Sequence, residues 1–214
     1  MAEKVNVVDK ERWNPKTELG RMVKNGEITT LEQISDTGKP ILESEIADVL
    51  LQSMESETLL IKSTQRVTDS GRKIQFRVVV VVGDHNGHVG IGVGKSEEIR
   101  PALDYAVRDA KKNMISLKMG CGSWECKCNV PHSVPKATTG KEGSTTVNLK
   151  PAPRGLGIAS NATIKKVLNI AGVKDVWSTS TGNTKNVYNT AMATIKALEN
   201  IAMVKPHPVR GQAQ

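Results

Sequence analysis

Residues 78–94, VVVVVGDHNGHVGIGVG, constrain this chain more than any other stretch. A valine-rich run, the turn DHNG and a second extended run read as an antiparallel hairpin. In the second run Val89, Ile91 and Val93 alternate with Gly90, Gly92 and Gly94, so one face is apolar and the other nearly bare. Bare backbone lets another helix, strand or RNA backbone come close. The run ends in Gly94-Lys95-Ser96, which imitates a nucleotide phosphate loop. Such a loop needs G-x-x-x-x-G-K-[ST] and a helix that starts at the Lys-Ser pair. Counting back places its first glycine at Val89, and Pro101 marks a helix start several residues later. The glycines are therefore read as serving close approach of another backbone or helix.

The neighbouring segments supply a domain. SEIADVLLQ, residues 44–52, offers an N-cap serine and apolar Ile46, Val49 and Leu50, which suits a short helix. ETLLIKSTQRV and RKIQFRVVVVVG read as strands joined by TDSG. RPALDYAVRDAKKNM follows as a helix with Leu103, Ala106, Val107, Ala110 and Met114 on one face and Pro101 in its first turn. Helix, three strands, helix is the order of double-stranded-RNA-binding domains. The division is an extension over 1–43, this domain over 44–117, a Cys-containing linker over 118–129, a second domain over 130–203 and a tail over 204–214.

The second domain predicts two strands near PHSVPKATTG and STTVNLKPAP, the latter with Thr145, Val147 and Leu149 on one face. ASNATIKKVLNIAG is a helix with Ile164, Val167, Leu168 and Ala171 aligned and Gly172 as its stop signal. KDVWSTS is a strand, and NVYNTAMATIKALENIA a final helix with Val187, Ala191, Thr194, Ile195 and Leu198 inward. The chain as a whole is of the α+β class.

Charge is distributed unevenly along the 214 residues. Residues 1–60 carry 7 Lys/Arg against 12 Asp/Glu (−5), and residues 61–214 carry 23 against 10 (+13). A basic body points to a polyanionic partner, because clustered cations release counterions from phosphate. No apolar run approaches the ~18–20 residues of a membrane span, and MAEKVNVVDKERWN lacks a secretory signal. A cytoplasmic, membrane-free location is expected.

Cys121, Cys126, Cys128 and His132 are spaced C-x4-C-x-C-x3-H. Structural zinc sites favour pairs with two to four intervening residues, so spacing leaves a metal unassigned. Free thiols in a reducing cytoplasm are the other reading, and a lasting disulfide is disfavoured there. No cofactor is expected.

RVVVVVGDHNGHVGIGVGK, PALDYAVRDAKKNM, PHSVPKATTGKEGSTTVNLKPAPRGLGIA and IAGVKDVW together resemble the ribosomal protein five family of the small subunit. GCGSWECKC and WNPKTELG resemble its archaeal branch. The resemblance implies a double-stranded-RNA-binding-like first domain of α-β-β-β-α order. It also implies a β-β-α-β-α second domain with a left-handed crossover, against the usual handedness. It further implies a structural, non-enzymatic role: binding small-subunit rRNA, contacting ribosomal proteins four and eight, lying near the path by which mRNA enters, and contributing to decoding accuracy.

Residues 66–73 match that family's rRNA-reaching loop, although they differ from the bacterial Lys-Gly-Gly pattern. Arg66, Arg72 and Lys73 supply cations, Gly71 flexibility and Ser70 a hydroxyl suited to phosphate and sugar; a plain solvated turn is the alternative. His85, Asn86, Lys95, Lys136, Lys141 and Arg154 complete the candidate RNA contacts. One competing function comes from PAPRGLGIAS, which is similar to the phosphate loop of the galactokinase, homoserine kinase and mevalonate kinase superfamily. Pro151, Gly155 and Leu156 match, but Ile158 and Ala159 replace its hydroxyl pair. A general double-stranded-RNA binder is the other competitor, opposed by sparse cations at the start of the 101–114 helix.

Overall fold

A computed structural model describes residues 3–4, 13–51, 53–126, 128 and 130–202. The expected tail, 204–214, and residues 1–2 and 5–12 of the expected extension lie outside that set. The elements run β1 (Glu3–Lys4), α1 (Glu18–Asn25), α2 (Leu31–Thr37), α3 (Glu45–Leu50), β2 (Glu55–Thr68), β3 (Gly71–Gly83), β4 (His88–Ser96), α4 (Ile99–Lys112) and β5 (Met114–Ser116). They continue with β6 (Thr138–Glu142), β7 (Thr145–Pro151), β8 (Ile158–Ala159), α5 (Ala162–Ile170), β9 (Val176–Thr181) and α6 (Val187–Ala202). The expected α-β-β-β-α order is α3-β2-β3-β4-α4. No helix among the described residues is long and apolar enough to cross a membrane.

The first sheet has the order β1-β2-β3-β4-β5 and is antiparallel throughout. Its central strand, β3, explains the run of five valines. Val78, Val80 and Val82 enter a core with Ala102, Ala106 and Ala110 of α4, whereas Val79 and Val81 enter a second core with the α5 and α6 residues Ile164, Leu168 and Leu198. A strand covered on both faces needs apolar residues at every position.

Gly90, Gly92 and Gly94 share the α4 face with Val82, Val80 and Val78, their partners in register. Opposite them α4 presents Ala102, Ala106 and Ala110, four residues apart, all fully buried. Small faces small, so helix and strand backbones approach closely. The expected helix face holds at Ala106 and Ala110 and is corrected elsewhere: Ala102 joins them, Leu103 and Val107 only flank the contact, and Met114 belongs to β5. A stripe chosen for hydrophobicity alone overlooks that the glycine strand admits only alanines. Gly140 of β6 repeats the device against Ala193 and Ala197 of α6.

The segment ahead of residue 44 is charged on its surface but packed beneath it. Trp13, Leu19, Val23, Ile28, Leu31 and Ile34 are buried in the core that holds Val80 and Ala106. Thr17 caps α1 by accepting the Gly20 N–H, and Gly26 closes it in the left-handed conformation. The expected boundary at residue 43 thus marks no break in packing.

The second sheet has the order β6-β7-β9-β8, with the two-residue β8 parallel to β9 and joined to it through α5. The two layers meet where the DHNG turn docks on the last carbonyls of α5. His85 N–H donates to the Ile170 carbonyl at 3.0 Å and Gly87 N–H to the Ala171 carbonyl at 3.0 Å. Gly172, at φ +85°, reverses the chain there, and a Cβ on it would strike the His85 carbonyl.

Candidate nucleic-acid interface

The outer half of the β2–β3 hairpin leaves both cores behind. Positions 61–67 of β2 and 71–75 of β3 are all exposed. The tip is closed by Asp69 and Ser70, with Gly71 at φ +127° and the Thr68 hydroxyl donating to the Gly71 carbonyl at 2.9 Å.

Register assigns each side chain to a face. Lys62 is paired with Arg77, Thr64 with Gln75 and Arg66 with Lys73. Side chains of paired residues, and of residues two apart, project to the same side. Arg77 is also paired with Lys95 of β4. Lys62, Arg66, Lys73, Arg77 and Lys95 therefore form one cationic face, interleaved with Thr64 and Gln75 and free of acidic strand positions. Its base is anchored: the Arg77 guanidinium lies 4.9 Å from the Tyr188 ring centre on α6. The reverse face carries Ile61, Val67 and Ile74, which are 48%, 75% and 49% exposed, together with Arg72. A bare two-stranded ribbon with cations on one face and aliphatic residues on the other is unstable as a free surface and suits a partner.

The structure thus brings together Arg66, Lys73 and Lys95 on one face, with Ser70 and Gly71 at the tip and Arg72 turned to the reverse side. Lys62 and Arg77 were missed by sequence reasoning; the signal lies in the pairing register. Lys141 sits exposed on the edge strand β6, Lys136 just before it and Arg154 in the exposed loop after β7. Asn86 is exposed at the DHNG turn, its N–H held by Asp84 Oδ1 at 2.8 Å.

His85 has an internal occupation. Its Nδ1 lies 2.8 Å from the Asn169 carbonyl and its Nε2 3.1 Å from Glu55 Oε2. Burial opposes its charge, but the Glu55 carboxylate, the Asn169 carbonyl and nearby Asp84 together raise its pKa above the ordinary 6.5. The imidazole clamps β2 to the end of α5.

Neither apparent phosphate loop offers a cradle. Gly94, Lys95 and Ser96 lie within β4, and α4 begins only at Ile99. In the loop after β7, Gly155 and Gly157 have positive φ, but their N–H groups donate to Asp175 Oδ1 at 3.1 and 2.8 Å. A phosphate would have to displace that carboxylate.

The remaining cluster forms between the sheets' connecting segments. One donor atom from each of Cys121, Cys126, Cys128 and His132 lies within 4.8 Å of the others. His132 is buried and its Nδ1 donates to Asp175 Oδ2 at 2.8 Å, leaving Nε2 3.6 Å from Cys126 Sγ. These residues are the donor set that could hold a metal.

Comparison with known proteins gives matches over both domains. Residues 54–118 match the family described as ribosomal protein S5, N-terminal domain, and residues 140–207 match ribosomal protein S5, C-terminal domain. Among the similar proteins is the small ribosomal subunit protein uS5 of Methanocaldococcus jannaschii, 50% identical over 191 residues, covering 89% of this chain and 88% of the relative. The protein of the same name from Methanococcoides burtonii is 49% identical over 195 residues, with 91% and 92% covered. That of Pyrobaculum islandicum is 47% identical over 196 residues, with 92% and 97% covered. With both domains matched in order and relatives of nearly equal length, the chain belongs to the ribosomal protein S5 family.

Proposed function

We propose that this chain is a structural, non-enzymatic protein of the small ribosomal subunit in the cytoplasm, held there by rRNA. The observation that carries the reading is the cationic face of Lys62, Arg66, Lys73, Arg77 and Lys95 on a ribbon whose outer half is exposed among the described residues. Lysines and arginines spaced along a β-ribbon contact successive phosphates, while Thr64, Gln75 and Ser70 supply sugar and phosphate hydrogen bonds. Lys136, Lys141 and Arg154 extend the RNA contact onto the second domain. The aliphatic reverse face of Ile61, Val67 and Ile74 then meets a protein or an unstacked base.

Family membership supports the finer placement. The chain's neighbours there are ribosomal proteins four and eight, with part of the second domain meeting protein four, beside the path by which mRNA enters. At that border the protein biases how readily the subunit closes on a matched codon, so border substitutions change misreading without abolishing assembly. Sedimentation tests the main reading: the native protein should travel with small subunits, and the purified chain should bind small-subunit rRNA with a steep salt dependence. Free sedimentation at physiological salt, or magnesium-dependent phosphotransfer by the homogeneous chain, would overturn it.

A further inference from the structure

We propose that Cys121, Cys126, Cys128 and His132 bind one zinc ion, and that the ion locks the 118–135 segment onto the loop that carries Arg154. The assignment stands whether or not the chain binds RNA.

The donors are three thiols and one imidazole, a soft set of the Cys3His kind that selects zinc in a closed tetrahedral site. With Zn–S near ~2.3 Å and Zn–N near ~2.0 Å, tetrahedral ligand atoms sit roughly 3.5–3.8 Å apart. Cys126 Sγ to His132 Nε2 is 3.6 Å and Cys121 Sγ to Cys128 Sγ is 3.6 Å; Cys126 to Cys128 is tighter, at 2.9 Å. The awkward C-x-C spacing is resolved by the fold, which delivers Cys121 and His132 from either side of the loop. Gly120 and Ser133 exchange both backbone hydrogen bonds at 2.9 Å, pinching the ends of the segment together.

The surroundings are those of a metal site. A metal-bound histidine commonly donates its second ring nitrogen to a carboxylate, which fixes the tautomer and ring direction. His132 does so toward Asp175 Oδ2, inside the protein, and its backbone carbonyl is held by the Lys174 and Asp175 N–H groups at 3.0 and 3.1 Å. Backbone N–H groups of Arg154 and Cys128 are directed at the Cys126 sulfur, and that of Ser123 at Cys121. Such donors offset the net negative charge of three thiolates around one divalent ion.

Asp175 gives the site its structural consequence. Its second oxygen holds the N–H groups of Gly155 and Gly157. Metal, His132, Asp175 and the glycine loop are thus one connected chain of contacts, and ion binding orders the backbone on either side of Arg154. Binding displaces the thiol protons to solvent, so affinity falls as pH drops.

The test uses the full-length chain, purified under reducing conditions. Elemental analysis should give one zinc per chain, and cobalt(II) in its place should show the visible absorption of a tetrahedral thiolate complex. Cys128→Ser should lose that spectrum. Asp175→Asn, which keeps the ligands, should weaken zinc by about 10–100-fold. Because ligand variants can fail to fold, the wild-type chain is also stripped with a chelator. Amide exchange at Gly155 and Gly157 should then accelerate and reverse when zinc returns. A reduced, folded chain that takes up no zinc from excess, a native Cys126–Cys128 disulfide, or a cobalt spectrum that persists in Cys128→Ser would each overturn the site. Glycine amides that exchange equally with and without metal would overturn its coupling to the loop.

Discussion

Gly92 lies against the backbone of Ala106: a Cβ added at Gly92 would sit 2.1 Å from the Ala106 carbonyl oxygen and 2.2 Å from the Ala110 nitrogen. The obstacle is main chain, which cannot rotate away as a side chain would. Gly92→Val should therefore exceed the ~1–3 kcal/mol typical of overpacking, lowering the denaturation midpoint sharply or preventing folding. Ala106→Gly should not rescue it, because removing the Ala106 methyl leaves the carbonyl in place. A Gly92→Val chain that unfolds like wild type would show that α4 does not rest on β4.

The exposed ribbon makes the opposite prediction for stability. Lys62, Arg66 and Lys73 have no ion-pair partner among the described residues and touch neither core. Replacing all three with Ala should leave the melting temperature unchanged. It should reduce the slope of log affinity for small-subunit rRNA against log salt by roughly 2–3, at ~0.7–0.9 per phosphate contact. An unchanged slope would remove this face from the RNA interface.

How much of this was legible in the sequence depends on how local each signal is. The 78–94 hairpin was readable because a period of two and a DHNG turn are contained in the segment itself. Arg66, Arg72 and Lys73 were readable because they crowd one turn. Lys62 and Arg77 were not, since only cross-strand register places them beside Lys73 and Lys95. The buried stripe of α4 was read with Ala106 and Ala110 but without Ala102, which looks unimportant until three glycines are set opposite it. Trp13, Leu19 and Val23 were masked by the charges between them, so core-forming helices read as an extension. The Cys cluster was visible as residues, but its fourth donor is aimed by Asp175, 43 positions beyond His132.

The His85 clamp predicts a pH dependence. Its folded pKa lies above 6.5 and its unfolded value near it, so the folded state binds the proton more tightly. The extra stability is complete below the unfolded pKa and is lost as pH rises through the folded pKa. Partial exposure of both partners screens it, so the effect on melting should be small. The clearer measurement is an NMR titration of the His85 ring. Wild type should titrate above an unstructured histidine, and Glu55→Gln should move it downward. If Glu55→Gln left the midpoint in place, the carboxylate would not be what holds the proton.

Asp48 and Lys111 carry the last prediction. Lys111 Nζ lies 2.5 Å from Asp48 Oδ1, joining α3 to α4, and both side chains are almost completely buried. Burial pushes the Asp48 carboxyl above its ordinary range, and the Lys111 ammonium pulls it back only in part. Lys111→Met would leave the carboxylate without that partner, at a cost of about 3–5 kcal/mol. The cost should be pH-dependent. A carboxyl raised on folding makes the unfolded state release its proton first, so the variant should lose stability as pH climbs above the unfolded value near 3.8 and recover it in acid. Adding Asp48→Leu removes the stranded charge and should restore most of the loss, since apolar replacement of a whole buried pair is often neutral. Urea denaturation of wild type and the two variants at two pH values separates the contributions. If Lys111→Met proved as stable as wild type at neutral pH, the pair would be solvated rather than buried, and the α3–α4 seam would be looser than its geometry.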